Sequence, residues 1–208
     1  MTTNRRIGTE TSETRKLLLQ AAAELMREEG YAEVTSRKLA RKAGLKPQLV
    51  HYYFRTMSDL FAELFHQATE YQIKQLDRIA QSDKPLVAMF ELSCDPANAA
   101  MQLEFLALAN HRKEMHALIA EFGHELNRRE AAIIRAAMTP ERLAALGATP
   151  EELATMIQTG ARGLAFAGRF NRERFNNARD IAIDWLNRLG NEGKEKGAES
   201  AGNSSTIV

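Results

Sequence analysis

Two Glu-x-x-His pairs give this chain its clearest potential for metal chemistry. Glu63 lies three positions before His66, and Glu121 lies three positions before His124. On a helix this spacing places a carboxylate and an imidazole on one face, and two such pairs build di-metal carboxylate sites in helical bundles. The further bridging carboxylates of such sites are not evident, and a Glu-rich chain with 5 His produces such pairs by chance. A helical di-metal carboxylate enzyme is therefore an alternative hypothesis, and we predict no metal site and no cofactor.

A thiol at Cys94 offers a second kind of chemistry, nucleophilic attack. The chain has 1 Cys, and Phe90, Leu92 and Met101 lie near it in the sequence. An isolated cysteine in such apolar sequence is typical of a small buried residue, and a single cysteine forms no disulfide framework. A Gly-rich phosphate loop, a Ser-His-Asp order or paired catalytic acids do not stand out either. We therefore expect no catalytic residue and no enzyme activity.

A basic segment offers the third kind of chemistry, the binding of phosphate groups. Between Ser36 and Met57 no acidic residue interrupts the basic residues Arg37, Lys38, Arg41, Lys42, Lys46 and Arg55. The whole chain has 28 basic and 27 acidic residues, so positive charge is concentrated in this segment. A local basic patch in a nearly neutral protein is typical of contact with a nucleic-acid backbone.

Helix signals in the same segment predict a helix-turn-helix. Thr35 is a good N-cap for a first helix, and Gly44 suits the left-handed residue that ends it. Pro47 fits the first turn of a second helix, and Val50 and Phe54, four positions apart, anchor that helix inward. A tight turn between two helices, with polar residues at the start of the second, is the geometry that places a recognition helix in the major groove of DNA.

Five short motifs follow one another between Glu13 and Phe65. In chain order they are A-A-x-E-L from Ala21, G-Y from Gly30, T-S-R-K-L-A from Thr35, A-G from Ala43 and H-Y-Y-F from His51. A lone helix-turn-helix is a weak match to any family, whereas this ordered set is specific. The stretch is similar to the N-terminal domain of the tetracycline-repressor (TetR) family of bacterial transcription regulators.

The resemblance implies which residues contact DNA. The start of the first helix matches positions that touch phosphate, and the second helix matches positions that meet bases or backbone. Gln48 can pair with an adenine edge, Leu49 can meet a thymine methyl group, and tyrosine hydroxyls donate to phosphate oxygens. Met57 stands where the family often has a phosphate-binding lysine, so we expect Arg55 to substitute for it. The predicted DNA contacts are Ser36, Arg37, Lys46, Pro47, Gln48, Leu49, His51, Tyr52, Tyr53 and Arg55.

Helical periodicity persists through the rest of the chain and no alternating β pattern appears, so we predict an all-α fold. The expected organisation is a flexible basic arm at 1–12 and a three-helix DNA-binding domain with the helix-turn-helix at 13–57. A larger helical domain at 58–189 is expected to bind the effector and to dimerise, and residues 190–208 are expected to form a disordered tail.

Caps and prolines predict the helix boundaries of the larger domain. Ser58 is expected to cap a long helix that runs to about Gln81. Thr139 and Thr149, each followed by a proline, are expected to start two further helices. The last helix is expected over residues 177–189.

The penultimate predicted helix has an unusual face of small residues. Gly160, Gly163 and Ala167 follow one another at helical spacing, and a glycine inside a helix costs about 1 kcal/mol relative to alanine. In the resembling family the final two helices form a dimeric four-helix bundle, so we expect a homodimer. Packing of the glycines inside one subunit is the alternative. The predicted dimer interface comprises Gly160, Gly163, Leu164, Ala167, Ile181, Trp185 and Leu189.

The resemblance also implies a ligand cavity among the middle helices. These helices are rich in phenylalanine and methionine, with His111, His116 and His124 as scattered polar groups. Such a composition is typical of a site for a small apolar effector held by one or two hydrogen bonds, and also of plain core. The expected pocket residues are Phe90, Cys94, Met101, Phe105, Leu108 and Phe122.

Together, these features predict a homodimeric DNA-binding transcription regulator, a repressor that a small apolar effector releases from an inverted-repeat operator. Two alternatives stay open: the helical di-metal enzyme, and an architectural DNA binder that needs no effector. The first residues contain no apolar run that could serve as a signal peptide, and no stretch approaches the apolar length that spans a bilayer. We therefore expect a cytoplasmic protein that binds double-stranded DNA and no membrane.

Overall fold

The computed structural model describes the backbone of residues 13–202 and the side chains of residues 13–190. The predicted basic arm and the last residues of the predicted tail, 203–208, lie outside the described residues. Within the described range the chain is built of helices and contains no strand. The predicted all-α fold is therefore confirmed.

Ten α-helices and one short 3-10 helix make up the described part of the chain. In order they are α1 (Glu13–Glu29), the 3-10 helix (Tyr31–Glu33), α2 (Ser36–Lys42), α3 (Pro47–Tyr53), α4 (Met57–Ile79), α5 (Pro85–Cys94), α6 (Pro96–His111), α7 (Lys113–Ala137), α8 (Pro140–Leu146), α9 (Pro150–Gly168) and α10 (Arg172–Gly202). The first three helices form the helix-turn-helix domain. None of the helices in this range combines the length and the apolar character that a bilayer crossing requires.

Threonine side chains cap three of these helices at the predicted positions. Thr35 Oγ1 accepts from the Lys38 amide at 3.3 Å, and Thr139 caps α8 in the same way. At Thr149 the cap is reciprocal, because the Glu152 carboxylate also accepts from the Thr149 amide at 2.8 Å. Each cap supplies a hydrogen-bond acceptor for an amide that the start of a helix leaves unpaired. The local sequence therefore decides where these helices begin.

One compact unit joins residues 13–71 with residues 100–122. Its core is one cluster of buried side chains from α1 to α4, closed by others from α6 and α7, among them Leu18, Met26, Leu39, Val50, Leu60, Phe105, Leu108 and Met115. Phe105 contacts the Phe65 ring edge-to-face at 5.1 Å between centroids, and Phe122 does so at 5.6 Å. The unit therefore differs from the predicted domain of residues 13–57, because later helices cover the apolar side of the helix-turn-helix.

The second compact unit joins residues 72–99 with the described residues from 123 onward. Within it α9 packs against α5 and α10, and α10 packs against α5. Arg179 on α10 also pairs with Glu91 on α5. The buried side chains that hold these three helices together include Leu86, Met89, Leu153, Ile157 and Leu186. These contacts position the two helices that carry the predicted dimer interface.

The last helix is longer than predicted at both ends. It begins at Arg172, where the side-chain oxygen Oδ1 of Asn171 caps it by accepting from the Arg174 amide at 3.0 Å. It continues to Gly202, although we predicted disorder from residue 190 onward. Alanine, glutamate and lysine in residues 190–202 favour the helical backbone, whereas the glycines among them disfavour it. The disordered tail over residues 190–208 stays a prediction.

Candidate nucleic-acid interface

The turn between α2 and α3 ends one helix and starts the next within a few residues. Gly44 adopts a left-handed conformation with φ of 67°, which side-chain-bearing residues rarely adopt. Its amide donates to the Arg41 carbonyl at 3.2 Å, and the Leu45 amide donates to the Ala40 carbonyl at 2.8 Å. These two bonds are a Schellman motif, which closes α2 and redirects the chain. Pro47 then occupies the first turn of α3, as the sequence predicts.

The helix α3 separates a buried face from an exposed face. Val50 and Phe54 are buried in the core, and the Arg15 guanidinium covers the Phe54 ring at 4.9 Å from its centroid. Leu49 and Tyr53 are half-buried. The exposed face carries Lys46, Pro47, Gln48, His51 and Tyr52. Buried anchors thus hold a helix whose free side presents hydrogen-bonding groups, which is the arrangement that a major-groove reader needs.

The remaining predicted DNA contacts flank α3 in the chain. Ser36 is half-buried and Arg37 is exposed in the first turn of α2. Met57 packs against the core of the first unit, so it is unlike the surface lysine of the family pattern. Arg55 stands two positions before it and is exposed. Its place and its exposure suit the phosphate contact that we predict for it.

Two of the six basic residues of this segment are already paired with carboxylates. Lys38 Nζ lies 2.6 Å from Glu29 and 2.6 Å from Glu33, and hydrogen bonds to these two residues raise the pKa of Lys38. Lys42 Nζ lies 2.8 Å from Glu28, and this hydrogen bond raises the pKa of Lys42. Among residues 13–190 the basic residues of the segment that form no ion pair are Arg37, Arg41, Lys46 and Arg55. The basic patch is therefore smaller than predicted, because acidic residues earlier in the chain fold back onto α2.

The start of α4 differs from the prediction that Ser58 caps it. Thr56 Oγ1 accepts from the Asp59 amide at 3.1 Å, and the Asp59 carboxylate accepts from the Thr56 amide at 3.0 Å. The reciprocal bond favours Thr56 as the cap, because Asp59 stands three positions after it. The Ser58 hydroxyl instead accepts a hydrogen bond from the Arg112 guanidinium, which also covers the Phe61 ring. Arg112, between α6 and α7, thus holds the start of α4.

Glu104 on α6 holds the turn between α1 and α2, and no sequence motif indicated this role. Its Oε2 accepts from the Tyr31 amide at 2.8 Å. A Cβ added at Gly30 would lie 3.4 Å from the same oxygen, so the turn approaches the carboxylate closely. The His111 ring stacks on the Tyr31 ring, with centroids 6.3 Å apart. Glu104, His111 and Arg112 therefore hold the turn after α1 and the start of α4.

We expect that replacing Glu104 by leucine will expose the Tyr31 amide to hydrogen exchange. The amide would lose its charged acceptor, and a bond of this kind corresponds to a roughly 10- to 100-fold change in protection. Glu104→Gln is the matched control, since its side-chain carbonyl can still accept. Hydrogen–deuterium exchange of the peptide that contains Tyr31 measures the effect. Equal protection of this amide in the wild type and in Glu104→Leu would contradict the assigned bond.

The glycines of the predicted dimer interface lie on an exposed surface of the second unit. A Cβ atom added at Gly160 or at Gly163 would have no atom of another part of the subunit within 4 Å. These glycines therefore do not pack inside the subunit, which removes the alternative explanation of their spacing. Large apolar side chains also stand exposed on α9, on α10 and in the turn between them, and they are Met156, Phe166, Phe170, Ile181 and Trp185. We call these five residues with the two glycines the α9–α10 apolar face.

The other predicted interface residues differ in their exposure. Ala167 is exposed and Leu164 is half-buried. Leu189 is buried within its own subunit, so its assignment to the interface is corrected. The physical reason is that Leu186 and Leu189, three positions apart on α10, form the inward stripe of that helix. Trp185 stands at the edge of this stripe and remains 42% exposed.

The six predicted pocket residues do not belong to one compact unit. Phe90 and Cys94 belong to the second unit, whereas Met101, Phe105, Leu108 and Phe122 belong to the first. Phe105 and Leu108 are core residues of that first unit. Burial raises the pKa of the Cys94 thiol, which disfavours the nucleophilic thiolate. A cavity of about 350 Å³ in the second unit is lined by other residues, among them Leu86, Ile133, Met138, Leu186 and Asn187. The predicted pocket stays a prediction.

The two Glu-x-x-His pairs are not assembled into a metal site. The Glu63 carboxylate is held by the Arg15 guanidinium at 2.6 Å. His66, Glu121 and His124 are exposed. In the part of the chain that the structure describes, no group of three or more His, Cys, Asp or Glu side chains is arranged to hold a metal ion. No observation therefore favours the di-metal enzyme.

Comparison with known proteins agrees with this geometry. Residues 18–64 match the family model of the bacterial regulatory proteins of the tetR family. The match runs from α1 into α4 and includes every residue of the candidate interface. The resemblance that the sequence motifs indicated is thereby confirmed. No curated protein matches the chain significantly.

Solved structures share the fold of most of the chain. A transcriptional regulator from Rhodococcus sp. Rha1 is 19% identical, with a TM-score of 0.67 over 83% of this chain and 95% of that chain. A TetR transcription regulator from Haloarcula marismortui ATCC 43049 is 18% identical, with a TM-score of 0.66 over 85% and 97%. A Saccharomonospora viridis protein in complex with choline is 18% identical, with a TM-score of 0.70 over 84% and 96%. At these identities the likeness shows the fold, an N-terminal helix-turn-helix domain followed by a larger helical domain.

Proposed function

We propose that this chain, which carries the DNA-binding domain of the tetR family, is a homodimeric transcription regulator, a repressor that a small effector releases from an inverted-repeat operator. The observation that carries the proposal is the exposed face of α3. Lys46, Gln48 and His51 stand there beside one another on a helix that buried side chains hold in place. Lysine contacts phosphate and glutamine reads a base edge, so one short helix offers both affinity and sequence preference.

The proposed dimer explains why the operator should be an inverted repeat. A two-fold dimer presents two α3 helices, and these read two half-sites about one helical turn, or a multiple, apart. The α9–α10 apolar face supports this part of the proposal, because it exposes five large apolar side chains, and large exposed apolar patches are typical of protein interfaces. Its glycines would let the backbones of two subunits approach closely.

Control by a small effector is the third part of the proposal. The Saccharomonospora viridis protein has the same fold and was solved with choline, so this architecture accommodates small organic molecules. The cavity of about 350 Å³ in the second unit has the volume of a small-molecule site. For induction the effector must bind more tightly to the conformer with the lower operator affinity.

We expect selection from random duplex DNA to recover an inverted repeat, and Lys46→Ala to weaken binding to every duplex. Losing one phosphate contact lowers the slope of log K against log salt concentration by about 1. Lys42→Ala is the matched control, because Lys42 is already paired with Glu28 and should change this slope less. Fluorescence anisotropy titrations at several salt concentrations measure both slopes. An equal decrease of the slope in the two variants would show that the basic patch does not divide into lysines free for phosphate and lysines already paired with carboxylates.

Gln48→Ala should act on sequence preference rather than on overall affinity. Losing a bidentate contact to one base costs about 1–3 kcal/mol at that base pair and little elsewhere. A second selection with this variant should therefore return the same repeat with one relaxed position in each half-site. An unchanged set of selected sequences would mean that Gln48 does not read a base.

A further inference from the structure

Three polar side chains lie together in the interior of the second unit. Glu130 on α7 is 1% exposed, and Gln158 on α9 is 8% exposed. Arg162 follows Gln158 by one helical turn and donates to its Oε1 at 2.6 Å. Arg162 is close enough to Glu130 that its positive charge partly opposes the rise that burial causes in the pKa of Glu130. One turn away, Asn127 Nδ2 lies 3.0 Å from Thr155 Oγ1 and holds α7 against α9. We call Glu130, Gln158 and Arg162 the buried polar cluster.

Each member of the buried polar cluster keeps one enclosed atom without a hydrogen-bond partner among the described residues. These atoms are Glu130 Oε2, Gln158 Nε2 and Arg162 Nε. Native interiors pair most of their buried polar groups, because an unpaired one forfeits the hydrogen bonds it made to water. The DNA interface and the α9–α10 apolar face use none of the three. The folded subunit therefore holds hydrogen-bonding capacity that its own side chains leave unfilled.

We propose that the buried polar cluster binds the acidic head group of the effector, a carboxylate carried on an apolar body. The inference rests on the proposed function, because it names the chemical class of the effector. It places the acidic head group at the buried polar cluster, whose residues are not among those that line the cavity of about 350 Å³. The Arg162 Nε–H and a Gln158 Nε2–H donate to the carboxylate oxygens, a pairing that the planar guanidinium favours. Glu130 supplies a third hydrogen bond from its protonated Oε2.

Charge decides between an acidic and a basic head group. Burial raises the pKa of Glu130 to about 8, so its carboxyl group holds a proton at neutral pH. Arg162 stays positively charged, because a guanidinium does not lose its proton in proteins. The cluster therefore carries one net positive charge in the interior, and a carboxylate balances it. An ammonium head group would meet this positive charge with no ionised carboxylate beside it.

The neighbours of the cluster on α9 explain why the rest of the ligand is apolar. Ala154, Ile157, Ala161 and Ala165 are buried within one or two turns of Gln158 and Arg162. These side chains offer no hydrogen bond. A ligand whose acidic end reaches the cluster must therefore place its remaining surface against apolar side chains.

Compounds with one body and different head groups test the proposal. Octanoate, octanamide, octanol and octylamine share a straight chain, and phenylacetate, phenylacetamide, phenethyl alcohol and phenethylamine share an aromatic one. Isothermal titration calorimetry of the full chain at neutral pH measures their affinities. We expect the acid of at least one series to bind about 10-fold or more tightly than the alcohol, as a charged hydrogen bond gives. The amine should bind weakest.

Two variants assign the preference to the buried polar cluster. Arg162→Gln removes the charge and should lower the affinity ratio of acid to alcohol about 10-fold or more. Gln158→Glu is nearly equal in size and keeps the oxygen that accepts from Arg162. It adds a negative charge beside the ligand and should also lower the ratio. Arg169→Gln removes an exposed arginine directly after α9 and is the matched control for net charge.

Four results would overturn the proposal: equal affinities of acid and alcohol, tightest binding of the amine, an unchanged ratio in both variants, or no binding in either series. Release of the selected duplex by the same compounds is measured separately. If the acid binds as expected but leaves DNA affinity unchanged, the acid site stands and the effector-controlled regulator is wrong. If the chain binds no duplex at all, the proposed function fails, while calorimetry still decides on the acid site.

Discussion

Replacing Gly163 by leucine is expected to convert the proposed dimer into monomers without unfolding the subunit. Within the subunit a Cβ atom added at Gly163 meets no other part of the chain within 4 Å, and leucine favours a helix over glycine by about 0.8 kcal/mol. In the dimer, two copies of the new side chain would press on a partner helix, and overpacking costs about 1–3 kcal/mol for each. The sum of about 2–6 kcal/mol raises the dissociation constant of the dimer at least ~30-fold.

Light scattering over a dilution series measures the assembly, and circular dichroism measures the stability of the subunit. Gly123→Leu is the matched control, because Gly123 is also an exposed glycine within a helix where an added Cβ atom meets nothing within 4 Å. It should leave the dimer intact. Trp185→Asp tests α10, since an aspartate is tolerated at the monomer surface but costly in an apolar interface. An unchanged dimer in both Gly163→Leu and Trp185→Asp would remove the α9–α10 apolar face from the assembly.

Operator affinity should fall together with the dimer. A monomer binds each half-site separately and loses the high effective concentration of the second helix α3. Measurements below the new dissociation constant should therefore show weaker binding by Gly163→Leu, although its DNA interface is unchanged. The selected duplex should in turn shift this variant back toward the dimer, because it binds the dimer more tightly.

Glu130→Gln is expected to stabilise the subunit at alkaline pH and to leave its stability nearly unchanged at acidic pH. Burial raises the pKa of Glu130 from 4.5 to about 8, and the Arg162 guanidinium only partly opposes this rise. Between these pH values the folded chain keeps a proton that the unfolded chain has released. The stability of the wild type therefore falls as the pH rises through this window, by on the order of 4 kcal/mol once Glu130 is ionised. Glutamine has nearly the same shape and does not ionise, so the variant escapes this loss.

Urea denaturation of both proteins at about pH 5 and about pH 9 measures the difference in the free energy of unfolding. Glu121→Gln is the matched control, because it removes an exposed carboxylate from the same helix. Its free energy of unfolding should follow that of the wild type at both pH values. If Glu130→Gln raised the free energy of unfolding equally at acidic and alkaline pH, ionisation of Glu130 would not be the cause of the higher stability.

The sequence by itself determined the helix-turn-helix, because the signals that build it act over short distances along the chain. Thr35 caps the amide three positions later, and Gly44 supplies the left-handed residue of a Schellman motif. Pro47 lacks an amide hydrogen where the first turn of α3 needs none. The spacing of Val50 and Phe54 then decides which face of α3 is buried and which remains for DNA. Each of these effects depends only on residues within a turn or two.

The tertiary structure alone decided which polar groups meet across helices. Carboxylates on α1 and the 3-10 helix form ion pairs with Lys38 and Lys42, and Glu104 on α6 accepts a hydrogen bond from the Tyr31 amide. Glu130 stands in a stretch rich in glutamate and arginine that is typical of a solvated helix face, yet it is buried. The physical reason is that periodicity predicts which face of a helix turns inward but not which helix covers it. The neighbours of a charged group come from residues far apart in the chain. They decide how much that group stabilises or destabilises the folded state.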